Sequence, residues 1–330
     1  MGAPPADRAG TRAARNFSGH DQVVEAVLPP TASIGFIHLT VGDLDRVATF
    51  YKDVLGFKEA HRADDRTVFL SATGSYPFHV ALTGDPKARP RQRRTAGLYH
   101  SAILLPTRAD LGRFLRHLLK VEWPIQGASD HGVSEAVYFD DPEGNGIEVY
   151  ADRPRERWTF LRDGLIMPTK PMDVDAVLAE GEGRWDGLLS DTKVGHVHLQ
   201  VSDLARAETF YSKVIGFEVT VRAYTGALFF SVGGYHHHLG VNIWAGIDLA
   251  PASPEIRGLR YFTIRLPDRE ALADAVKRIR AAGVWAEAYN HGSMLAVYAR
   301  DPDAITVALT VDEDPQAAWT EEAVSLDRIA

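Results

Sequence analysis

The segment GFIHLTVGDL at residues 35–44 recurs in the second half of the chain as GHVHLQVSDL at residues 195–204. The match continues at the same spacing, because TFYKDVLGF at residues 49–57 aligns with TFYSKVIGF at residues 209–217. Self-similarity over this length indicates two homologous halves. Each copy predicts a strand followed by a helix that an aspartate opens and a glycine closes, so a repeated strand–helix unit determines the fold.

The same unit appears a second time within each half. YHSAILLP at residues 99–106 leads into a helical pattern, and RYFTIRLP at residues 260–267 does so in the other half. Both of these units finish around an Asp-Pro turn, at residues 141–142 and 301–302. We therefore predict an α+β fold of four βαβββ units, which begin near residues 33, 97, 193 and 259.

The repeat also divides the chain into domains and connecting segments. We predict a first domain at residues 31–152 and a second at 193–312, each of two units, with 153–192 as the linker and 313–330 as a C-terminal segment. Residues 1–30 are rich in Ala, Pro, Gly and Arg and lack both hydrophobic periodicity and the apolar core of a secretory signal. We expect them to form a flexible arm.

Composition excludes several functional classes. The formal net charge of −8, with Lys and Arg scattered, argues against nucleic acid as a partner. The absence of cysteine excludes disulfides, thiolate metal sites and cysteine nucleophiles. No apolar run approaches the roughly 18 residues that a membrane span needs, so we expect no membrane partner. The absence of cysteine also fits a reducing compartment, so we expect a cytoplasmic protein.

The repeated motifs resemble one protein superfamily. The Val-x-Asp-Leu, Phe-Tyr and Gly-Phe elements, together with DDPEGNGIEV at residues 140–149, are similar to the vicinal oxygen chelate superfamily. That superfamily includes glyoxalase I, bleomycin-resistance proteins and the type I extradiol dioxygenases. Four units in one chain most resemble the catechol 2,3-dioxygenases, and the resemblance covers residues 33 to about 310. It implies that paired units form two half-barrel cups.

The resemblance also implies a set of metal ligands. In this superfamily the ligands come from the first and last strands of a unit, which correspond to His100 and Glu148 in the second unit and to His196 in the third. Two imidazoles and one carboxylate make the facial triad of non-haem iron(II) oxygenases, which leaves coordination positions free for substrate and dioxygen. The implied cofactor is therefore iron(II), with manganese(II) as the alternative.

This ligand set requires unit two to pair with unit three and unit one with unit four. The first-strand ligand position of the first unit is Phe36, and the fourth unit offers Tyr261 with Thr306 or Ala308. These residues cannot assemble an ordinary divalent-metal site. The other possibility is sequential pairing, which would use His38 in place of the third-unit histidine.

Three further residues are candidates for catalysis. The resemblance assigns acid–base catalysis to His237, within the His-His-His run of the third unit, because a histidine pKa lies near neutrality. Tyr138 matches a tyrosine that hydrogen-bonds a substrate hydroxyl in the dioxygenases, and His131 resembles their other active-site histidine. The fourth unit repeats both as Tyr298 and His291, so the pair can equally belong to the turn.

The expected function is extradiol cleavage of a catechol-type ring with insertion of both atoms of dioxygen. The expected partners are a small aromatic diol and dioxygen, in a homo-oligomer. Three alternatives remain open at this point: a hydroquinone-cleaving dioxygenase, a glyoxalase-like isomerase or lyase, and a non-catalytic ligand-binding protein. The sequence does not fix the substituents of the ring.

Overall fold

The computed structural model describes residues 27–161 and 164–330. Residues 1–26, which make up most of the predicted arm, lie outside the described part. The first unit consists of β1 (Ser33–Val41), α1 (Leu44–Asp53), β2 (Lys58–Arg62), β3 (Thr67–Ser71) and β4 (Val80–Gly84). The second consists of β5 (Gly97–Leu104), α2 (Arg108–Lys120), β6 (Gly127–Asp130), β7 (Ser134–Asp140) and β8 (Gly146–Asp152).

A connecting segment separates the two halves. It contains a 3₁₀ turn (Arg155–Arg157), β9 (Phe160–Leu161), β10 (Gly164–Leu165), β11 (Lys170–Pro171) and α3 (Val174–Glu180). The third unit consists of β12 (Lys193–Gln200), α4 (Leu204–Glu208), a π-helical segment (Thr209–Ile215), β13 (Glu218–Val221), β14 (Ala227–Ser231) and β15 (Leu239–Asn242).

The fourth unit and the C-terminal segment complete the chain. The fourth unit consists of β16 (Gly258–Arg265), α5 (Arg269–Ala281), β17 (Ala286–Asn290), β18 (Met294–Arg300) and β19 (Thr306–Asp312). The C-terminal segment holds β20 (Glu322–Val324), which pairs with β17, and a final 3₁₀ turn (Leu326–Arg328).

Eighteen of the described strands form two nine-stranded sheets, each of which combines units from both halves of the sequence, and β9 pairs with β10 in a separate two-stranded sheet. The one–four sheet has the order β2-β3-β4-β1-β16-β19-β18-β17-β20. The two–three sheet has the order β11-β6-β7-β8-β5-β12-β15-β14-β13. The first strands of the paired units meet antiparallel, β1 with β16 and β5 with β12. The predicted α+β fold with its non-sequential pairing is confirmed, while the limits of the two domains stay a sequence-based prediction.

The helices form where the sequence predicts them, with one difference in the third unit. The side chain of Asp43 accepts a hydrogen bond from the Arg46 amide and so caps α1. The equivalent helix α4 passes after five residues into the π-helical segment. Its wider turn accompanies a buried hydrogen bond in which the Tyr211 hydroxyl donates to Asp301 Oδ2 at 3.0 Å. Periodicity alone predicts an ordinary α-helix there.

The segment between the halves is more than a connection, because it adds structure to the two–three sheet. Strand β11 pairs with β6, with Lys170 opposite Asp130. Helix α3 packs on α2 at a point where Gly112 meets Gly181. Among the described residues, no helix is both long and apolar enough to cross a membrane.

Substituting alanine for Gly112 is expected to destabilise the protein, although alanine is the better helix former. A Cβ at this position would overlap the carbonyl oxygen of Val177 and lie 2.8 Å from the Gly181 Cα, both backbone atoms of the packed segment. Overpacking of this kind costs about 1–3 kcal/mol, which exceeds the roughly 1 kcal/mol gained from helix propensity. Urea unfolding measures the change. The matched control is Gly127→Ala, because a Cβ there meets nothing within 4 Å.

Candidate metal centre and active site

Three adjacent strands of the two–three sheet carry the predicted ligands. His100 lies on β5, Glu148 on β8 and His196 on β12. Ala102 on the central strand β5 pairs with Glu148 on one side and with His196 on the other. Because side chains two residues apart on a strand share a face, His100 lies on the same face as Ala102. The sheet register therefore brings all three side chains together.

The donor atoms of this triad form a nearly equilateral triangle. His100 Nε2 lies 3.1 Å from Glu148 Oε2, and His196 Nε2 lies 3.3 Å from the same oxygen. The two imidazole Nε2 atoms are 3.3 Å apart. Ligand atoms about 2.1–2.2 Å from a cation, at angles of roughly 90°, would be about 3.0–3.1 Å apart. The buried donor set therefore fits a divalent cation.

The protonation states of the triad also suit a cation. Burial opposes ionisation of Glu148, but attraction to His196 and hydrogen bonding from His100 outweigh it and hold the carboxyl pKa well below its usual range. Burial lowers the pKa of His196 to about 4, against the opposing attraction of Glu148. An ionised carboxylate and a neutral imidazole are the forms that bind metal.

A cavity of about 260 Å³ opens at the triad. Its walls include the rings of Tyr99, Phe229 and Trp244, which provide flat apolar surfaces of the kind that bind aromatic ligands. Met167 and Thr169, from the segment between the halves, complete the wall. The cavity therefore combines a metal-binding end with aromatic sides.

The His-His-His run separates into three different environments. His237 lines the cavity, and its ring centroid lies 4.0 Å from that of His196. Burial lowers the pKa of His237 well below its usual value, so the imidazole is neutral. His236 Nε2 instead lies 2.9 Å from Asp152 Oδ1, and His238 Nδ1 lies 3.0 Å from the Ser231 hydroxyl. The predicted catalytic histidine is thus the one beside the triad.

Tyr138 and His131 also lie at the cavity and contact each other. His131 Nδ1 lies 2.9 Å from the carbonyl oxygen of Pro168, so it carries the proton and donates. His131 Nε2 is then the acceptor for the Tyr138 hydroxyl at 2.8 Å. Burial raises the pKa of Tyr138 well above its usual value, and the charge of Glu148 adds to this. The tyrosine is therefore a neutral phenol.

The one–four sheet carries a cavity of about 440 Å³ with the same tyrosine–histidine pair. Tyr298 donates to His291 at 2.8 Å, as the equivalent residues do in the other cavity. The place of the triad is taken, however, by an apolar cluster that contains Phe36, Tyr261 and Ala308. Within residues 27–161 and 164–330, the only three-ligand cluster is the triad of the two–three sheet. The presence of metal-binding side chains, and not the volume of the cavity, therefore identifies the candidate metal site.

His38, the alternative ligand, lies in the cavity of the one–four sheet. Its Nε2 is 2.7 Å from the Thr83 hydroxyl, and burial lowers its pKa well below the usual value. Its strand β1 pairs with β16 and not with β5. His38 and His100 consequently belong to different sheets.

Sequence reasoning misses several residues of the site. Met167 and Thr169 belong to a segment interpreted as a linker, and the short strand β11 beside them pairs with β6 of the two–three sheet. Tyr235 precedes the His-His-His run but does not line the cavity, and its hydroxyl lies 2.8 Å from the Tyr150 hydroxyl. The contact between Asp152 and His236 joins residues far apart in sequence, so no local pattern indicates it.

Similarity to solved structures agrees with this architecture. Glyoxalase I from Zea mays superposes with a TM-score of 0.54 at 17% sequence identity, over 85% of this chain and 92% of that protein. At this identity the likeness concerns the fold alone.

Comparison with known sequences identifies the family. The model of the Glyoxalase/Bleomycin resistance protein/Dioxygenase superfamily matches residues 33–149 and 193–309. The Catechol-2,3-dioxygenase of Bacillus subtilis (strain 168) is 44% identical over 254 residues, which cover 76% of this chain and 88% of that protein. The Manganese-dependent 2,3-dihydroxybiphenyl 1,2-dioxygenase of Geobacillus genomosp. 3 is 29% identical over 42% of this chain and 44% of its own length. The chain therefore belongs to the Glyoxalase/Bleomycin resistance protein/Dioxygenase superfamily and, within it, to the extradiol dioxygenases that resemble catechol 2,3-dioxygenase.

Proposed function

We propose that the protein cleaves the ring of a catechol-type substrate outside its diol, with both atoms of dioxygen entering the product. The observation that carries this proposal is the buried His100–Glu148–His196 triangle, which forms one end of an aromatic-walled cavity. The triad leaves part of the coordination sphere for other ligands. The aromatic walls suit a planar ring.

The three triad residues would hold iron(II). When bound, iron(II) supplies the redox link between an electron-rich aromatic diol and dioxygen, which do not react readily on their own. A relative is named for its dependence on manganese, and the same donor set accepts that ion. The metal identity is therefore part of the test below.

The surrounding side chains would position the substrate and move its protons. His237, neutral and beside the triad, accepts a proton from a substrate hydroxyl and returns it to the ring-opened product. The Tyr138 hydroxyl donates to His131, so its oxygen is left to accept a hydrogen bond from the substrate. The rings of Tyr99 and Trp244 hold the aromatic plane. Each of these residues thus binds the substrate, orients it or exchanges a proton with it.

A glyoxalase-like isomerase is less well supported. Such enzymes resemble this chain but typically take a carboxylate or Gln ligand from both paired units. The strand register makes Gly240 the counterpart of Glu148, because Gly240 pairs with His198 as Glu148 pairs with Ala102. A glycine has no side chain to ligate a metal. Unit three therefore contributes only one ligand.

Metal content and oxygen-dependent turnover test the proposal together. Protein purified without oxygen is expected to hold one iron or manganese per chain, and the metal-free protein is reloaded separately with each ion. Addition of catechol and oxygen should then give a yellow ring-opened product. Hydroquinones in the same panel separate the alternative dioxygenase activity. Bound metal without oxygen uptake on any diol would contradict the proposal.

A further inference from the structure

A chain of hydrogen bonds leads from the cavity to a carboxylate behind it. His237 Nδ1 lies 2.7 Å from His236 Nδ1, and His236 Nε2 lies 2.9 Å from Asp152 Oδ1. Asp152 is the last residue of β8, the strand that also carries Glu148. The three side chains thus connect the wall of the cavity to the end of a ligand strand.

The carboxylate determines where the protons of this chain lie. An ionised carboxylate only accepts hydrogen bonds, so His236 must carry its proton on Nε2 to donate to Asp152. In a neutral imidazole the other nitrogen is then an acceptor, so His236 Nδ1 accepts from His237 Nδ1. His237 Nε2 consequently keeps its lone pair. The chain selects the tautomer of His237 that can take up a proton at Nε2.

The surrounding side chains hold these three hydrogen-bonded residues in place. His236 is fully buried, and the ring of Trp158 packs at 5.3 Å from its ring. The Tyr235 hydroxyl donates to the same oxygen of Asp152 at 3.2 Å, which fixes the carboxylate from a second side. If the buried imidazole of His236 lost one of these hydrogen bonds, a buried polar atom would be left without a partner, which costs free energy.

We propose that Asp152 and His236 are positioning residues, which hold His237 in the tautomer with its lone pair on Nε2. This inference rests on the proposed role of His237 as the acid–base group of ring cleavage. Neither residue lines the cavity, so neither contacts the substrate directly. Their effect is instead transmitted through the proton on His237 Nδ1.

The variant Asp152→Asn tests the proposal, because it keeps the shape of the side chain while introducing an amide donor. A donor facing His236 Nε2 reverses both bonds of the chain and places the proton of His237 on Nε2. A comparable exchange in a catalytic triad lowers kcat roughly 10⁴-fold by the wrong tautomer. We expect kcat to fall by about 100-fold or more, with metal content and anaerobic catechol affinity within about threefold of the wild type.

Nitrogen-15 NMR of the histidine-labelled, metal-free protein reports the tautomer without any turnover. The wild type should show the proton of His237 on Nδ1, and Asp152→Asn should move it to Nε2. The matched control is His238→Gln, because His238 Nδ1 lies 3.0 Å from the Ser231 hydroxyl and takes no part in the hydrogen bonds from Asp152 to His237. Its kcat and tautomer should both be unchanged.

The asparagine of Asp152→Asn can also turn its oxygen towards His236, which would leave the hydrogen bonds unchanged. A second variant is therefore needed. His236→Phe fills a similar space and removes both hydrogen bonds. His237 should then lose its preference for the proton on Nδ1, and kcat should decrease. Unchanged tautomers and unchanged kcat in both variants would overturn the proposal. A wild type that shows the expected tautomer but cleaves no diol would overturn the proposed function instead, which keeps the two failures distinguishable.

Discussion

The variant His196→Ala is expected to lose its metal, whereas His38→Ala keeps it. His196 Nε2 is one of the three donors of the buried triangle. Even partners that only support a ligand cost about 10–100-fold in metal affinity when removed. Loss of the ligand itself should therefore lower affinity at least about 100-fold. Elemental analysis after anaerobic purification measures the result.

His38→Ala is the matched control, since both histidines lie on the first strand of a unit and are buried. The control loses a hydrogen bond to Thr83 in the other sheet, so its stability should decrease while its metal content stays at the wild-type value. Circular dichroism confirms that both variants fold. Metal lost from His38→Ala and kept by His196→Ala would mean that the units are paired sequentially around the site.

The variant His237→Gln is expected to retain metal and substrate binding but to lose turnover. Glutamine is polar and of similar reach, yet it cannot take up a proton at neutral pH. General acid–base catalysis by one side chain typically contributes 10²–10⁴-fold. We therefore expect kcat to fall by about 10²–10⁴-fold. Stopped-flow mixing of the anaerobic catechol complex with oxygen separates binding from turnover.

The control for this variant lies in the next residue. His238 Nδ1 is 3.0 Å from the Ser231 hydroxyl, and the residue does not line the cavity. His238→Gln should therefore keep kcat within a fewfold of the wild type. Equal losses in the two variants would indicate that the run supports the loop and that His237 has no special role in catalysis.

The repeat explains why the fold and the pairing of units could be predicted from sequence. The gap-free repeat aligns His196 in the third unit with Phe36 in the first, and the resemblance to the superfamily identifies that position as the first-strand ligand. The same comparison shows which copy has apolar residues where the other has donors. Local patterns with a fixed period were sufficient here because the site is built from equivalent strand positions.

Other features depend on contacts that no local pattern contains. The tyrosine–histidine pair occurs in both cavities, so its motif alone could not distinguish Tyr138 from Tyr298. Thr169 reaches the cavity because β11 pairs with β6, which a two-residue strand does not indicate in sequence. The chain from Asp152 to His237 depends on how side chains from two units face each other.

Isotope labelling of the product tests the central claim most directly. The enzyme, loaded with iron(II), is mixed with catechol under ¹⁸O₂, and the yellow product is examined by mass spectrometry. Extradiol cleavage at the triad predicts two labelled oxygen atoms in one ring-opened molecule, formed by cleavage next to the diol, and no product from His196→Ala. A product without label, or one opened between the two hydroxyl-bearing carbons, would contradict the account.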